Sequence, residues 1–157
     1  MKKALLIIAC ISGLTLSSKA QISVTMADLE SLSKMTYIEF DSAVENKGFD
    51  LIMTSHNSRD YRFYQSVGYN QPTYTISRAD TSKSIVRVHL ITTDKQLFSS
   101  FKNDLKIKHY KFLYQQNEKL GRTQMLHYYS NGAYQVSWYS YNLDTDTPWY
   151  GIVIWKL

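Results

Sequence analysis

Apolar and polar residues alternate along much of this chain, as they do in antiparallel strands with one buried face. In one clear case Val86, Val88 and Leu90 alternate with Arg87 and His89. Eight runs are predicted as strands, near residues 49–53, 61–67, 73–77, 86–90, 109–115, 122–130, 134–139 and 149–157. The last run is apolar on both faces, which predicts a central or covered strand.

Three helices are predicted where apolar residues recur at three- and four-residue spacing. The first covers residues 26–34, the second begins after Thr36, and the third begins within residues 93–96. Gly48 can take the positive φ that ends the second helix. Each start has the spacing of a capping box: Thr25 with Asp28, Thr36 with Glu39, and Thr93 with Gln96.

Two of the connections carry turn signals. Residues 56–60 are polar and predict a turn before the second strand. Asn131-Gly132 predicts a type I′ hairpin turn, because both central residues of that turn need positive φ.

The second helix and the strand after it recur 61 residues later in the chain. Both copies carry aromatic, aliphatic and lysine residues at the same spacing. The matched positions are Tyr37, Phe40, Val44, Lys47, Phe49 and Leu51 in one copy and Phe98, Phe101, Leu105, Lys108, Tyr110 and Phe112 in the other. This doubling predicts one domain, residues 21–157, made of two repeats at about residues 25–92 and 93–157.

These elements predict an α+β fold, with a single antiparallel sheet of about eight strands and the helices on one face. Matched positions of a repeat are expected to pack alike. The predicted core therefore contains Phe40, Val44, Phe101 and Leu105 from the helices, and Leu51, Val88, Phe112 and Val136 from the strands. An eight-stranded barrel of the lipocalin kind is the alternative. The helix before the fifth strand argues against it, because hairpins join neighbours in such barrels.

The order of these elements resembles the tandem helix-plus-four-strand layout of the β-lactamase inhibitory protein family. The resemblance implies a concave sheet face that binds a protein partner through aromatic and polar side chains. It covers residues 21–157 as a topology and rests on no motif. The disulfides of that family have no counterpart here, and no individual residue is carried over.

The first twenty residues are predicted to be a secretory signal. Lys2 and Lys3 precede an apolar run at residues 4–16, and Ser18-Lys19-Ala20 forms a small-x-small end. The run is shorter than the roughly 20 residues that span a bilayer. A periplasmic or secreted protein is therefore expected. The alternative is lipid attachment at Cys10, but only six apolar residues would then precede the cut.

Removing this segment changes the charge and the cysteine count. It takes three lysines and no acid, so the formal net charge falls from +5 to +2 and a nucleic-acid partner loses its main support. The only cysteine, Cys10, is removed as well. Packing alone is then expected to hold the fold together, without a disulfide.

Catalytic and metal-binding motifs do not appear in the sequence. The four histidines, at positions 56, 89, 109 and 127, lack metal-ligand spacing. There is no Gly-x-Ser-x-Gly and no glycine-rich phosphate loop. Asp144-x-Asp146 lacks the glycine and the glutamate of a calcium loop. The sequence therefore predicts no metal, no cofactor and no enzyme.

The residue content that points to a function is aromatic, with 13 Tyr, 6 Phe and 3 Trp. Aromatic and basic side chains together are typical of protein-binding hot spots. On the predicted face opposite the helices this set comprises Arg62, Tyr64, Arg87, His89, Lys111, Arg122, Tyr128 and Tyr139. We expect this face to bind an extracytoplasmic protein.

Three other interpretations of this face remain open. The first is an ordinary solvated sheet surface, since tyrosine suits a half-buried strand for structural reasons alone. The second is a small-molecule or carbohydrate binder with an aromatic groove. The third is a hydrolase whose residues form no recognisable motif. A deep pocket with perturbed titratable groups would favour the hydrolase, and a broad open face the protein partner.

The mature protein is predicted to begin at Gln21, because the basic, apolar and small-residue regions of a signal precede that residue in order. Intact-mass measurement of the protein from cells that express the full chain tests this prediction. A lipid adduct on Cys10, or retention of Met1, would contradict it.

Overall fold

The computed structural model describes residues 23–54, 58–63, 73–80, 85–120, 122–142 and 147–157, and their side chains except at 58–63, 119, 120, 122, 123 and 142. In chain order the elements are α1 (Met26–Leu32), α2 (Tyr37–Glu45), β1 (Leu51–Thr54), β2 (Ser58–Phe63), β3 (Tyr74–Asp80), β4 (Val86–Thr92), α3 (Lys95–Ile107), β5 (Lys111–Leu120), β6 (Arg122–Ser130), β7 (Tyr134–Asn142) and β8 (Pro148–Lys156).

The described strands form one antiparallel sheet in the order β1-β2-β3-β4-β8-β7-β6-β5. The predicted α+β class with a single antiparallel sheet is confirmed. β8 lies between β4 and β7, as its two apolar faces predicted. β1 and β5 are the edges of the sheet, so the described strands do not close into a barrel.

The helices pack on one face of the sheet. Alternate residues of the central strands are buried against them, such as Ile76, Val88 and Ile154. Four helix residues that were predicted to be buried, Phe40, Val44, Phe101 and Leu105, are at most 5% exposed. They share one core with Val88 and Val136, as predicted.

Two predicted core residues are exposed instead. Leu51 is 46% exposed and Phe112 is 53% exposed. They lie on the edge strands β1 and β5, beyond the central strands whose residues join the helix-side core. Phe49 and Tyr110, two residues earlier in each copy, are buried in the core. The aromatic residue between each helix and the following strand is therefore the one that joins the core.

The helix starts follow the predicted capping pattern, with one shift. Thr25 with Asp28 and Thr36 with Glu39 form complete capping boxes. At α3 the cap is Asp94, whose carboxylate accepts from the backbone of residues 96 and 97, and not Thr93 as predicted. Thr93 uses its hydroxyl to accept a hydrogen bond from the Thr73 amide, which joins it to β3.

The ends of α2 and α3 have matching backbone geometry. Gly48 and His109, 61 residues apart, both take positive φ, at 86° and 57°. The next residue in each case, Phe49 or Tyr110, donates its amide to a carbonyl five residues earlier. This is the left-handed helix end for which glycine is preferred. At the second copy a histidine adopts the same conformation, which is sterically costly for a side chain with a Cβ.

Helix α1 contacts the ends of both longer helices through two carboxylates. Asp28 forms an ion pair with Lys47, with Nζ and Oδ1 3.0 Å apart. Glu30 accepts from Lys108 at 2.7 Å and from the Tyr110 hydroxyl at 3.0 Å. Because Glu30 is only 16% exposed, its two partners compensate for the loss of water. Helix α1 thus connects the two halves of the chain.

A buried arginine joins the start of α2 to the sheet. Arg78 on β3 is 4% exposed, and its Nε lies 3.0 Å from the Asp80 carboxylate. One terminal nitrogen donates to the Met35 carbonyl, and the guanidinium lies 4.3 Å from the centre of the Tyr37 ring. The charge is therefore paired, hydrogen-bonded and stacked, as a buried charge has to be.

Two turn predictions are corrected by the structure. β2 begins at Ser58, so part of the turn predicted at residues 56–60 is strand, while residues 56 and 57 lie outside the described range. At the hairpin between β6 and β7 only Gly132 has positive φ, so the turn is not type I′. The Asn131 side-chain oxygen instead accepts from the amides of Ala133 and Tyr134, which stabilises a three-residue connection.

Replacement of Phe101 by alanine should lower the free energy of unfolding by about 3–5 kcal/mol, because it removes a fully buried ring. Ile107→Ala on the same helix is the matched control, since Ile107 is 73% exposed and its loss should cost less than about 0.5 kcal/mol. Urea denaturation of both variants tests this difference. Equal losses would contradict the one-sided packing of α3.

Candidate functional site

The face of the sheet opposite the helices, here called the open face, is formed by cross-strand rows of side chains. One row contains Ser77, His89, Val153, Ser137, Tyr128 and Tyr114, in sheet order from β3 to β5. The next row contains Ala79, Arg87, Trp155, Gln135, Ser130 and Lys111. These residues alternate with the buried core residues and therefore face away from the helices.

A depression of about 440 Å³ lies in the open face. Small residues such as Ser77, Ala79 and Ser137 leave room between large ones. The complete lining is Ser77, Ala79, Arg87, His89, Tyr114, Glu118, Leu126, Tyr128, Gln135, Ser137, Val153 and Trp155. A volume of this size is within the usual range for sites that bind a ligand or a partner side chain.

A tyrosine beside the depression lies across a glycine. The Tyr139 ring occupies the space where a side chain at Gly151 would stand, since a Cβ there would be 2.2 Å from Tyr139 Cζ. From this position the Tyr139 hydroxyl reaches His89 on β4, with 2.7 Å between the oxygen and Nε2. Glycine is required at position 151 because only it lets the ring approach the strand this closely.

His89 is held in its neutral form. Burial lowers the pKa of His89 to about 4, because charging a desolvated imidazole is unfavourable. Burial also raises the pKa of Tyr139, so its hydroxyl keeps its proton at neutral pH. The His89–Tyr139 contact is therefore a hydrogen bond between two neutral groups at pH 7. His89 is a weak base in this environment.

Two stacked tyrosines form one side of the depression. The rings of Tyr114 and Tyr128 are 4.6 Å apart and inclined by 23°. The Tyr128 hydroxyl donates to the Glu118 carboxylate, and burial and this carboxylate together raise the pKa of Tyr128. Glu118 is thus hydrogen-bonded within the site, and the two rings are held by their neighbours.

An arginine and a tryptophan form another part of the lining. The Arg87 guanidinium lies 5.4 Å from the centre of the Trp155 ring. The Trp155 and Tyr128 rings pack in a T-shaped arrangement, with the ring centres 6.3 Å apart. Arg87 itself is exposed, whereas the indole is half-buried. The cation is therefore positioned by an aromatic surface and remains open to solvent.

The structure brings several of the sequence-predicted site residues together. Arg87, His89 and Tyr128 line the depression, and Tyr139 contacts His89 beside it. Lys111 is exposed at the end of the Arg87 row, on the edge strand. Three predicted residues lack described side chains: Arg62 belongs to β2, Arg122 belongs to β6, and Tyr64 lies outside the described residues.

Two of the predicted residues are less accessible than expected. Tyr128 is 7% exposed and Tyr139 is 3% exposed, although both are on the predicted face. Together with Leu126 they form a small second core that is separate from the helix-side core. Large side chains on neighbouring strands cover one another there, so a sheet face without helices still buries part of its own surface.

Sequence reasoning missed Tyr114, Glu118 and Trp155. The register between β5 and β6 shifts between Phe112 and Tyr114, which places Phe112 on the helix side and Tyr114 on the open face. Uninterrupted alternation in this run gave no sign of the bulge. The strand predicted near residues 109–115 ended before Glu118, but β5 continues to Leu120. Trp155 is in a run that is apolar on both faces, where alternation assigns no side.

Comparison of the chain with protein-family models, curated proteins and solved structures found no match. Within the described residues, no three histidine, cysteine, aspartate or glutamate side chains are grouped as a metal ion would require. In the same part of the chain, no helix has the length and apolar character needed to cross a membrane.

Gly151→Ala should displace the Tyr139 ring and lower the free energy of unfolding by about 1–3 kcal/mol, the usual cost of overpacking. In a Tyr139→Ala background the same change should cost much less, because its steric partner is absent. Urea denaturation of the two single variants and the double variant tests this coupling. Additive losses of unfolding free energy would contradict the close contact between Tyr139 and Gly151.

The pKa of His89 should rise from about 4 towards 6.5 when Tyr139→Ala exposes the imidazole. An NMR titration of the variant and the wild type tests this prediction.

Proposed function

We propose that this chain is an exported, non-catalytic binding module whose open sheet face binds a protein partner in the periplasm or outside the cell. The observation that carries the proposal is the aromatic and polar depression in that face, built on the six strands β3 to β8 instead of loops. Residues 1–20, with the pattern of a secretory signal, support the export part of the proposal.

The side chains of the depression have the character of a binding hot spot. Tyr114 and Trp155 offer rigid rings at its rim, and Arg87 offers an exposed cation stacked on one of them. Tyrosine, tryptophan and arginine are the residues that most often contribute large binding energies in protein interfaces. Because strands hold these groups, little conformational entropy is lost when a partner binds.

The titratable groups of the depression favour binding over catalysis. His89 is already hydrogen-bonded to Tyr139, and a pKa of about 4 makes it a weak general base at neutral pH. Glu118 accepts from Tyr128. His89 and Glu118 are thus each held by a hydrogen bond to a neighbouring tyrosine, and we assign both a structural role in the depression.

The proposal includes the finer prediction that the domain consists of two repeats, as in the β-lactamase inhibitory protein layout. Its support is the matched ends of α2 and α3. Gly48 and His109 share positive φ, and the lysine before each, Lys47 or Lys108, pairs with a carboxylate of α1. A pair of helix-plus-strand units on one sheet would give the open face its breadth.

A carbohydrate ligand is the second candidate. The stacked Tyr114 and Tyr128 rings and the volume of about 440 Å³ would suit one or two sugar rings. We favour the protein partner because the rim residues Arg87, Tyr114 and Lys111 are spread over a wide, open part of the sheet.

Replacing Tyr114 by alanine should weaken capture of the partner by at least about 2 kcal/mol, which is near thirtyfold in affinity. Phe112→Ala is the matched control: both residues are aromatic, close in β5 and similarly exposed, at 44% and 53%, but they lie on opposite faces. Immobilised wild type, Tyr114→Ala and Phe112→Ala protein would be compared for proteins retained from an envelope extract of the source cells. Mass spectrometry would quantify each retained protein.

The expected result is a protein that wild type and Phe112→Ala retain equally and Tyr114→Ala loses. Retention that depends on Phe112 and not on Tyr114 would place the interface on the other face and overturn the proposal. Two results would favour the carbohydrate ligand instead. In one, simple sugars release the proteins that wild type retains. In the other, no retained protein is lost when Tyr114 is replaced.

A further inference from the structure

Arg87 carries the one positive charge in the lining of the depression, and it has no ionic partner among the described side chains. The ion pairs formed by the described residues are those of Lys47, Arg78 and Lys108. The Arg87 guanidinium lies over the Trp155 ring, 5.4 Å from the ring centre. A guanidinium stacked in this way keeps its N–H edges available for a second group.

The other ionisable groups of the depression do not compete for this role. Glu118 accepts a hydrogen bond from Tyr128, so its charge is already stabilised. Burial keeps His89 neutral at pH 7, with a pKa of about 4. Lys111 is exposed on the same cross-strand row, but it lies on the edge strand β5, four strands from Arg87, and does not line the depression.

Hydrogen-bonding side chains share the depression with Arg87. Gln135 pairs with Trp155 across β7 and β8, and Ser77 and Ser137 also line the depression. Hydroxyl and amide groups can donate to the oxygens of a bound carboxylate. Arginine forms its strongest and most specific contacts with such planar anions, through two parallel hydrogen bonds.

We infer that the depression receives an acidic side chain, aspartate or glutamate, from a loop of the partner protein, and that Arg87 on Trp155 is its counter-ion. The inference rests on the proposed function, because it names the chemistry of the group that the open face binds. The guanidinium without an ionic partner provides the charge complementarity for this occupant, and the donors that share the depression add hydrogen bonds.

The probe for the test is a library of random twelve-residue peptides displayed on phage. The library would be selected in parallel on wild type, Arg87→Ala, Arg87→Glu and Tyr114→Ala protein, each purified after expression of the full chain. Lys95→Glu is the matched control, since it makes the same change of charge on the helix side, in the first turn of α3, where a carboxylate is favourable. Circular dichroism would verify that each variant is folded.

Wild type and Lys95→Glu should select peptides with a shared aspartate or glutamate, and its replacement by asparagine or glutamine should weaken binding about tenfold or more. Arg87→Ala should abolish that preference. Arg87→Glu should select lysine or arginine at the same position. Peptides that require Tyr114 but show no acidic preference, or a preference unchanged by Arg87→Ala, would overturn this inference and leave the proposed function intact. The absence of any peptide sensitive to Tyr114→Ala would overturn both.

Discussion

The rest of this structure depends on one constraint: the three helices of the described residues cover one face of an antiparallel sheet. The central strands meet that constraint by alternation, so that Val88 and Ile154 enter the helix-side core while Arg87 and Trp155 face the other way. Burial of apolar area is the main favourable term in folding, and here it is concentrated on one side. The opposite face can therefore carry polar and aromatic residues that do not pack against the helices.

A sheet face that no described helix covers still has to accommodate its large side chains. Tyr139 does so by lying across Gly151 and reaching His89, and Tyr128 does so by stacking on Tyr114. These contacts join strands that are distant in sequence but adjacent in the sheet. Contacts of this kind hold side chains in one arrangement, and for the binding function proposed above they would reduce the freedom lost on association.

The connection between the two halves relies on polar contacts. Lysines at the ends of α2 and α3 pair with Asp28 and Glu30, which lie on the short helix α1. Exposed pairs of this kind contribute little stability, but a partly buried carboxylate with two donors, as at Glu30, strongly disfavours any arrangement that leaves it unpaired. The pairs therefore specify how α1 is oriented across the helix ends.

Local sequence determined the features that depend on near neighbours. Capping at Thr25 and Thr36, the class of fold and the faces of β3, β4 and β7 follow from spacing, because caps and alternation act within a few residues. Tertiary structure decided the rest. Pairing of β5 with β6 created the shift that turns Tyr114 to the open face, and sheet order left Leu51 and Phe112 exposed on the edges. The close approach of Tyr139 to Gly151 likewise depends on which strands are neighbours, and no local pattern records that.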